Sequence, residues 1–275
     1  GYDSTPLTWF NDLGIGVDLV DEVHQHFHAM FKLCLYKHVK YSIALSATLL
    51  HKDAFMEAMY DVMFPRVDRP VEMALDRYAH ACAVHYNFIN PTKIRTTEFG
   101  SNNYSHNALE KSVMSNPETE KNYFRMIDEL LILGYFNNPK EKKSVAVFAS
   151  TIEMCTRLTA HFKRKYPHLD IRRYVGDDPY ENAIEADVRF TTVGSMGTAI
   201  DVPNLVCVIL TQALSSVQAN IQVLGRLRKI EGERVEFLFL TSDNINKHVD
   251  YYKEKREMLQ NRAASFKEIF MGHGI

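Results

Sequence analysis

The sequence predicts an α/β fold built on parallel sheets, and three observations carry that expectation. Short apolar runs of strand length alternate with amphipathic stretches of helical period. Composition supports a real core, with 46% apolar and 24% charged residues in 275. Polar, chemistry-bearing residues stand directly after several of the apolar runs, where open α/β sheets bind ligands.

In chain order, Gly16–Val20 reads as a buried strand ending in Asp21-Glu22. His26–His38 carries apolar residues at helical spacing, and Tyr41–Leu45 is a second strand. Asp53–Met63 reads as a helix capped by Asp53, with Pro65 beyond its end. Strand, helix, strand, helix is the rhythm of a parallel sheet. Residues 65–76 hold two prolines and look like a linker. Ala79–Ile89 reads as a strand, 90–106 as polar turns, and Asn107–Met114 and Pro117–Leu133 as helices.

The alternation resumes at Ser144. Strands are expected at Val145–Ala149, Asp170–Tyr174, Val188–Thr192, Val206–Leu210 and Val235–Leu240. Helices are expected at Thr151–Tyr166, Pro179–Ala186 and Ser216–Leu224, with Asn246–Phe270 as one long closing helix.

Charge narrows the function. Lys plus Arg is 32 and Asp plus Glu 34, which excludes a generally basic nucleic-acid coat but not a local basic face. Residues 1–31 hold five acids and no Lys or Arg; residues 140–173 hold nine bases against three acids. An acidic start suggests cation binding and a basic middle suggests phosphate, although solvated surface explains either alone equally well. Cys34, Cys82, Cys155 and Cys207 form no CxxC pair, which excludes a zinc ribbon and fits a reducing cytosol. Apolar runs are too short to cross a bilayer, and the start has no signal-peptide pattern.

Asp21-Glu22-Val23-His24 follows the first strand. A first carboxylate there can hold Mg²⁺, often through water, and a second can orient or deprotonate an attacking water. An acidic helix cap explains the same four letters at even odds. The segment resembles motif II of the superfamily 2 helicases, the DExH group. Ser46-Ala47-Thr48, after the second strand, is similar to motif III. Val145–Thr151 resembles motif IV, Thr191–Pro203 motif V, and Gln222–Lys229 motif VI. Gly176-Asp177-Asp178 matches a loop that touches the tracked strand in that family.

The resemblance covers roughly residues 17–241 and implies RecA-like parallel sheets flanked by helices, one domain partial and one complete. Residues 1–70 would be the C-terminal part of the first, ATP-binding domain. Residues 71–275 would be the second, with a helical stretch at about 104–133. The implied function is an ATP-dependent helicase or branch-migration translocase on single-stranded or branched nucleic acid, DNA before RNA. ATP and Mg²⁺ are the implied cofactors. The GRLRK form of motif VI and the helical stretch point to phage recombination helicases of the UvsW type, hence to DNA recombination and repair in a host cytoplasm. A binding fragment without catalysis and a DExH RNA helicase are the alternatives.

By the same resemblance Asp21 and Glu22 hold the metal, and Glu22, Asp21, His24, Gln222, Arg226 and Arg228 serve catalysis. Gly197, Asp201 and Lys229 would contact nucleotide, and Ser46 and Thr48 would couple hydrolysis to movement. Ser150, Thr151, Gly176, Thr192 and Ser195 would hold the nucleic-acid backbone, joined by the bases at Lys163–Lys165 and Arg172–Arg173. Two departures stand out. Motif VI usually spaces its arginines three apart, and here Lys229 holds that place while Arg228 lies one nearer. No GxxxxGK[ST] phosphate loop occurs, and the family places that loop upstream of the DExH, so this chain alone is expected to be inactive.

Overall fold

The computed structural model describes residues 8–23, 27–46, 54–69, 76–136, 143–196 and 200–275. His24, Thr48, Gly197 and the expected cap Asp53 lie outside the described residues. Two compact units divide the chain, Gly1–Ala74 and Leu75–Ile275.

The first unit begins with a single helical turn, α1 (Trp9–Asp12), followed by β1 (Val17–Val20), α2 (Phe27–Cys34), β2 (Tyr41–Ala44) and α3 (Ala54–Met63). β1 and β2 pair in parallel, Val17 opposite Tyr41 through Val20 opposite Ala44. The Lys37 ammonium bonds both Asp18 on β1 and Ser42 on β2, tying the strands together on one face. The small core joins α2 to α3: Phe27 and Tyr60 are buried, with ring centroids 4.3 Å apart edge to face.

The second unit holds a seven-stranded sheet with every pair parallel, in the order β5-β6-β4-β7-β8-β3-β9. These strands are β3 (Ala79–Tyr86), β4 (Ser144–Ala149), β5 (Ile171–Tyr174), β6 (Val188–Thr192), β7 (Leu205–Leu210), β8 (Val235–Ser242) and β9 (Ser265–Phe270). Every residue of β4 and β7 is buried, as central strands covered on both faces must be. Alternation splits the core. Val145, Val147, Cys207 and Ile209 face a layer built from α4 (His106–Met114), α5 (Pro117–Leu131) and α6 (Ile152–Lys165). Ala146, Phe148, Val208 and Leu210 face the other layer, with α9 (Val217–Leu224) and α10 (Asn246–Arg262).

Helix starts follow the side chains available. Ser105, Asn116, Thr151 and Ser216 each accept a backbone N–H at the start of α4, α5, α6 and α9. Two short turns, α7 (Glu181–Ile184) and α8 (Val193–Met196), complete the unit. α7 is shorter than the expected Pro179–Ala186.

Two expectations are overturned. The strand expected to be buried at Gly16–Val20 is β1, whose Val17 and Leu19 are exposed because among the described residues only β2 pairs with it. Asn246–Phe270 is not one helix: α10 stops at Arg262, and Ser265–Phe270 becomes edge strand β9. Phe266, Ile269 and Phe270 fall at helical spacing, which made a helix plausible. The free edge of β3 decides otherwise, pairing His80 with Ser265 through His85 with Phe270, and Ala264 N–H donates to Ala79 O at 2.8 Å.

Candidate functional site

In the first unit, backbone hydrogen bonds set the acid pair beside the end of the second strand. Leu45 N–H donates to Val20 O (2.8 Å) and Val23 N–H to Leu45 O (3.1 Å), so Asp21-Glu22 turns next to Ser46. Glu22 N–H donates to Asp21 Oδ1 at 2.8 Å. Glu22 adopts φ of 49°, the left-handed region, which costs a non-glycine residue about 1–3 kcal/mol. Asp21 is exposed and Glu22 half-buried. Among the described residues no group of three or more metal-ligating side chains occurs. Two carboxylates still suit Mg²⁺, which keeps several waters and takes the rest of its ligands from substrate phosphates.

In the second unit, three neighbouring strands, β5, β6 and β4, end beside one another and bring together most of the expected backbone-binding residues. Gly176, two residues past β5, adopts φ of 54°, and its N–H donates to Ser195 Oγ at 3.2 Å. Ser195 Oγ lies 2.8 Å from Thr192 Oγ1 at the end of β6. Asp178 holds this turn: it accepts two bonds from Arg173 (2.9 and 2.7 Å) and one from Val175 N–H (2.9 Å). The Arg173 guanidinium keeps the Asp178 carboxyl below its ordinary range. Ser150 and Thr151 follow β4 at the head of α6.

Among the described residues most bases of this segment are paired within the unit, Lys143 with Glu233 and Arg157 with Glu120 and Glu153 among them. Arg172 bonds Asp170 and Glu185, Arg173 bonds Asp178, and Lys165 bonds Asp128. Lys163 and Arg164 are exposed.

Motif VI follows α9. Gln222 is half-buried on that helix, and Arg226 Nη1 donates to Ile200 O at 3.1 Å. Arg228 Nε lies 3.7 Å from Asp201 Oδ1, whereas Lys229 is turned to Asp76 at 2.9 Å. Arg226 and Arg228 thus both reach the segment after Gly197, and Lys229 does not.

A buried polar chain beneath α4 was missed by sequence reasoning. Its signal is that His106 and Glu110 sit at positions i and i+4 of the same stripe as Leu109 and Val113. Ser242 N–H donates to His248 Nδ1 (3.1 Å), so the His248 proton is on Nε2 and donates to Tyr104 Oη (2.6 Å). Tyr104 Oη in turn donates to His106 Nδ1 (2.6 Å), which also accepts Ala213 N–H (3.3 Å). Burial keeps both rings neutral: His106 is held well below its ordinary range and His248 is pushed down to about 3. Lys255, buried over the Phe239 ring at 4.7 Å, is pushed down to about 7 by desolvation.

Acid stability follows from this. An unfolded histidine titrates at about 6.5. The folded ring resists the proton, so stability present above that pH is lost as pH falls toward about 3. Glu110, pushed up by burial, contributes with the opposite sign over part of this range. Comparing the unsubstituted protein with His248→Gln therefore isolates the histidine. The urea midpoint of the unsubstituted protein should drop more between pH 7.5 and 5.5, by about 1 kcal/mol of stability. Equal drops would contradict the neutral, buried assignment.

No family model and no curated protein matches the chain. Solved structures do. S. cerevisiae Dbp5 bound to RNA and ADP BeF3 is similar over 96% of this chain and 62% of its own, at 12% identity and TM-score 0.59. Mycobacterium smegmatis helicase Lhr bound to ssDNA and AMP-PNP is similar over 88% of this chain and 31% of its own, at 17% identity and TM-score 0.52. The chain thus spans less than two thirds of either. The likeness shows the fold: an α/β, RecA-like architecture of parallel sheet and flanking helices. Among the described residues no helix is long and apolar enough to cross a membrane.

Proposed function

We propose that this protein is part of a superfamily 2 nucleic-acid helicase or branch-migration translocase that hydrolyses ATP, of DExH type and acting on DNA. The observation that carries the reading is the order of five motif resemblances, II to VI, each motif standing after a strand or at a helix end of a RecA-like fold. The UvsW-type kinship, and with it DNA recombination and repair, rests on the GRLRK form of motif VI and the helical stretch before β4.

In this reading Asp21 and Glu22 would hold Mg²⁺, and Glu22 orients the water that attacks the γ-phosphorus. The metal, when bound, neutralises phosphate charge. Arg226 brings a guanidinium fork to the phosphoryl oxygens as charge builds there. Arg228 is the second cation, supported by its place near Asp201, and Gln222 faces the same nucleotide. Ser46 couples hydrolysis to movement, and strand contact is made at the ends of β4, β5 and β6. There Ser150 Oγ, Gly176, Thr192 and Ser195 hold backbone phosphates, so recognition is largely independent of base sequence.

A second reading is favoured by one observation, the lack of a GxxxxGK[ST] segment in the chain: a module that binds nucleic acid without hydrolysis. Phosphate release from ATP by this 275-residue chain, as it stands and supplied with a phosphate loop, with and without single-stranded DNA or RNA, separates the readings. The helicase reading expects strand binding without turnover here, and turnover stimulated by DNA above RNA once a phosphate loop is supplied. Stimulation by RNA alone supports the RNA helicase instead. Failure to bind either strand contradicts all three.

A further inference from the structure

Glu110 takes no part in the chemistry above, yet its side chain is fully buried. Its Oε1 accepts Ser150 N–H at 2.7 Å. Its Oε2 accepts both Thr151 N–H (2.8 Å) and the Thr151 hydroxyl (2.7 Å). Three donors from the turn between β4 and α6 therefore converge on one carboxylate. Three residues earlier on α4, Asn107 Oδ1 accepts the hydroxyl of Ser150. The Thr151 hydroxyl also accepts Met154 N–H at 3.1 Å, so Thr151 is fully committed within the fold. The Ser150 hydroxyl, half-buried at the end of β4, donates to the Asn107 amide oxygen at the surface, a bond it can exchange for one to a phosphate oxygen, whereas the other donors of the turn are held by Glu110.

An ionised carboxylate only accepts hydrogen bonds and suits three donors; a protonated one turns a donor toward an N–H. The titratable groups facing Glu110 are His106 from its own helix (Nε2 to Oε1, 3.9 Å), Tyr86 from β3, Tyr104 ahead of α4, Tyr123 from α5 and Cys155 from α6. None of them is a cation near neutral pH: the phenols and the thiol are raised, and His106 is kept neutral by burial. Burial pushes the Glu110 carboxyl up to about 7 against the downward pull of the Ser150 and Thr151 bonds. Both protonation states are accordingly within reach of ordinary buffers.

We propose that Glu110 is the positioning residue for strand contact at this turn: its ionised carboxylate fixes Ser150–Thr151, and hence the Ser150 hydroxyl, in the geometry from which it donates to a backbone phosphate. Taking up a proton loosens the turn and weakens the grip. The role rests on the nucleic-acid reading above, and Glu110 touches neither strand nor nucleotide itself.

The test uses this chain, with the amide resonances of Ser150 and Thr151 followed between pH 6 and 8.5. A fluorescent single-stranded oligonucleotide, as DNA and as RNA, reports affinity over the same range. Both amides should shift together with a midpoint near 7. Affinity should fall as the pH is lowered through the same interval. Glu110→Gln, which mimics the protonated acid, should bind about tenfold more weakly at pH 8 and lose the shared pH step. Amides that do not move in the unsubstituted chain overturn the proposal without reference to any variant. Equal affinity of Glu110→Gln and the unsubstituted chain at pH 8 overturns Glu110's role while the function reading stands. A chain that binds neither strand at any pH overturns the function reading and, with it, the role given to Glu110.

Discussion

Arg226→Ala should lower the rate of ATP hydrolysis by about a thousandfold, close to 4 kcal/mol of transition-state stabilisation. The residue stands just beyond α9, where the helix has ended and Gly225 packs tightly; a Cβ there would meet Ile221 O at 3.1 Å. This close fit fixes the direction in which the next side chain leaves the helix. The guanidinium is half-buried and donates to Ile200 O at 3.1 Å, which anchors it beside the segment after Gly197. A fork that meets charge only as it develops lowers kcat more than it raises KM. Arg226→Lys keeps the charge but not the fork and should recover little of the loss. Steady-state kinetics of the hydrolysing protein give both numbers. An unchanged kcat in Arg226→Ala would remove the residue from the chemistry.

Glu22→Gln should reduce turnover by about 10²–10⁴-fold, the usual share of a positioned general base. The two side chains are nearly the same shape, and both meet the same backbone cost at φ of 49°, so folding is not the cause. Glu22 N–H already donates to Asp21 Oδ1, which couples the two carboxylates through the backbone and orients the exposed acid. Affinity for nucleotide and strand should stay within a few-fold, since the amide keeps the volume and loses only basicity. Single-turnover hydrolysis with matched circular dichroism separates the two effects. Undiminished hydrolysis by Glu22→Gln would contradict the role assigned to it.

Much of the fold was legible because the central strands are almost wholly apolar. Val145–Ala149 and Val206–Leu210 announce themselves, and their helical connections carry a clear stripe. What was not legible is long-range. Ser265–Phe270 becomes a strand because β3, about 185 residues away, offers an open edge, and no local signal reports that. The basic middle read as a phosphate surface from its count of charges. In three dimensions Asp128, Asp178 and Glu185 reach Lys165, Arg173 and Arg172, and much of that charge is spent inside the protein.

The candidate site divides in the same way. The acid pair and the Gly-Arg segment could be found from sequence because each is contiguous and follows a strand or ends a helix. The surroundings of the motif VI cations could not, since spacing says nothing of the Asp76 that Lys229 is turned to or the Asp201 that Arg228 approaches. Glu110 could not either: its partners at Ser150 and Thr151 are 40 and 41 residues away, and a lone Glu on a helix reads as solvated.

The proposed function has strand binding drive ATP hydrolysis. Its most direct test is the rate of phosphate release from ATP by the protein supplied with a phosphate loop, titrated with single-stranded DNA. The account predicts a saturable rise in rate that disappears in both Glu22→Gln and Arg226→Ala. A rate indifferent to nucleic acid, or a rise that survives in either variant, would contradict it.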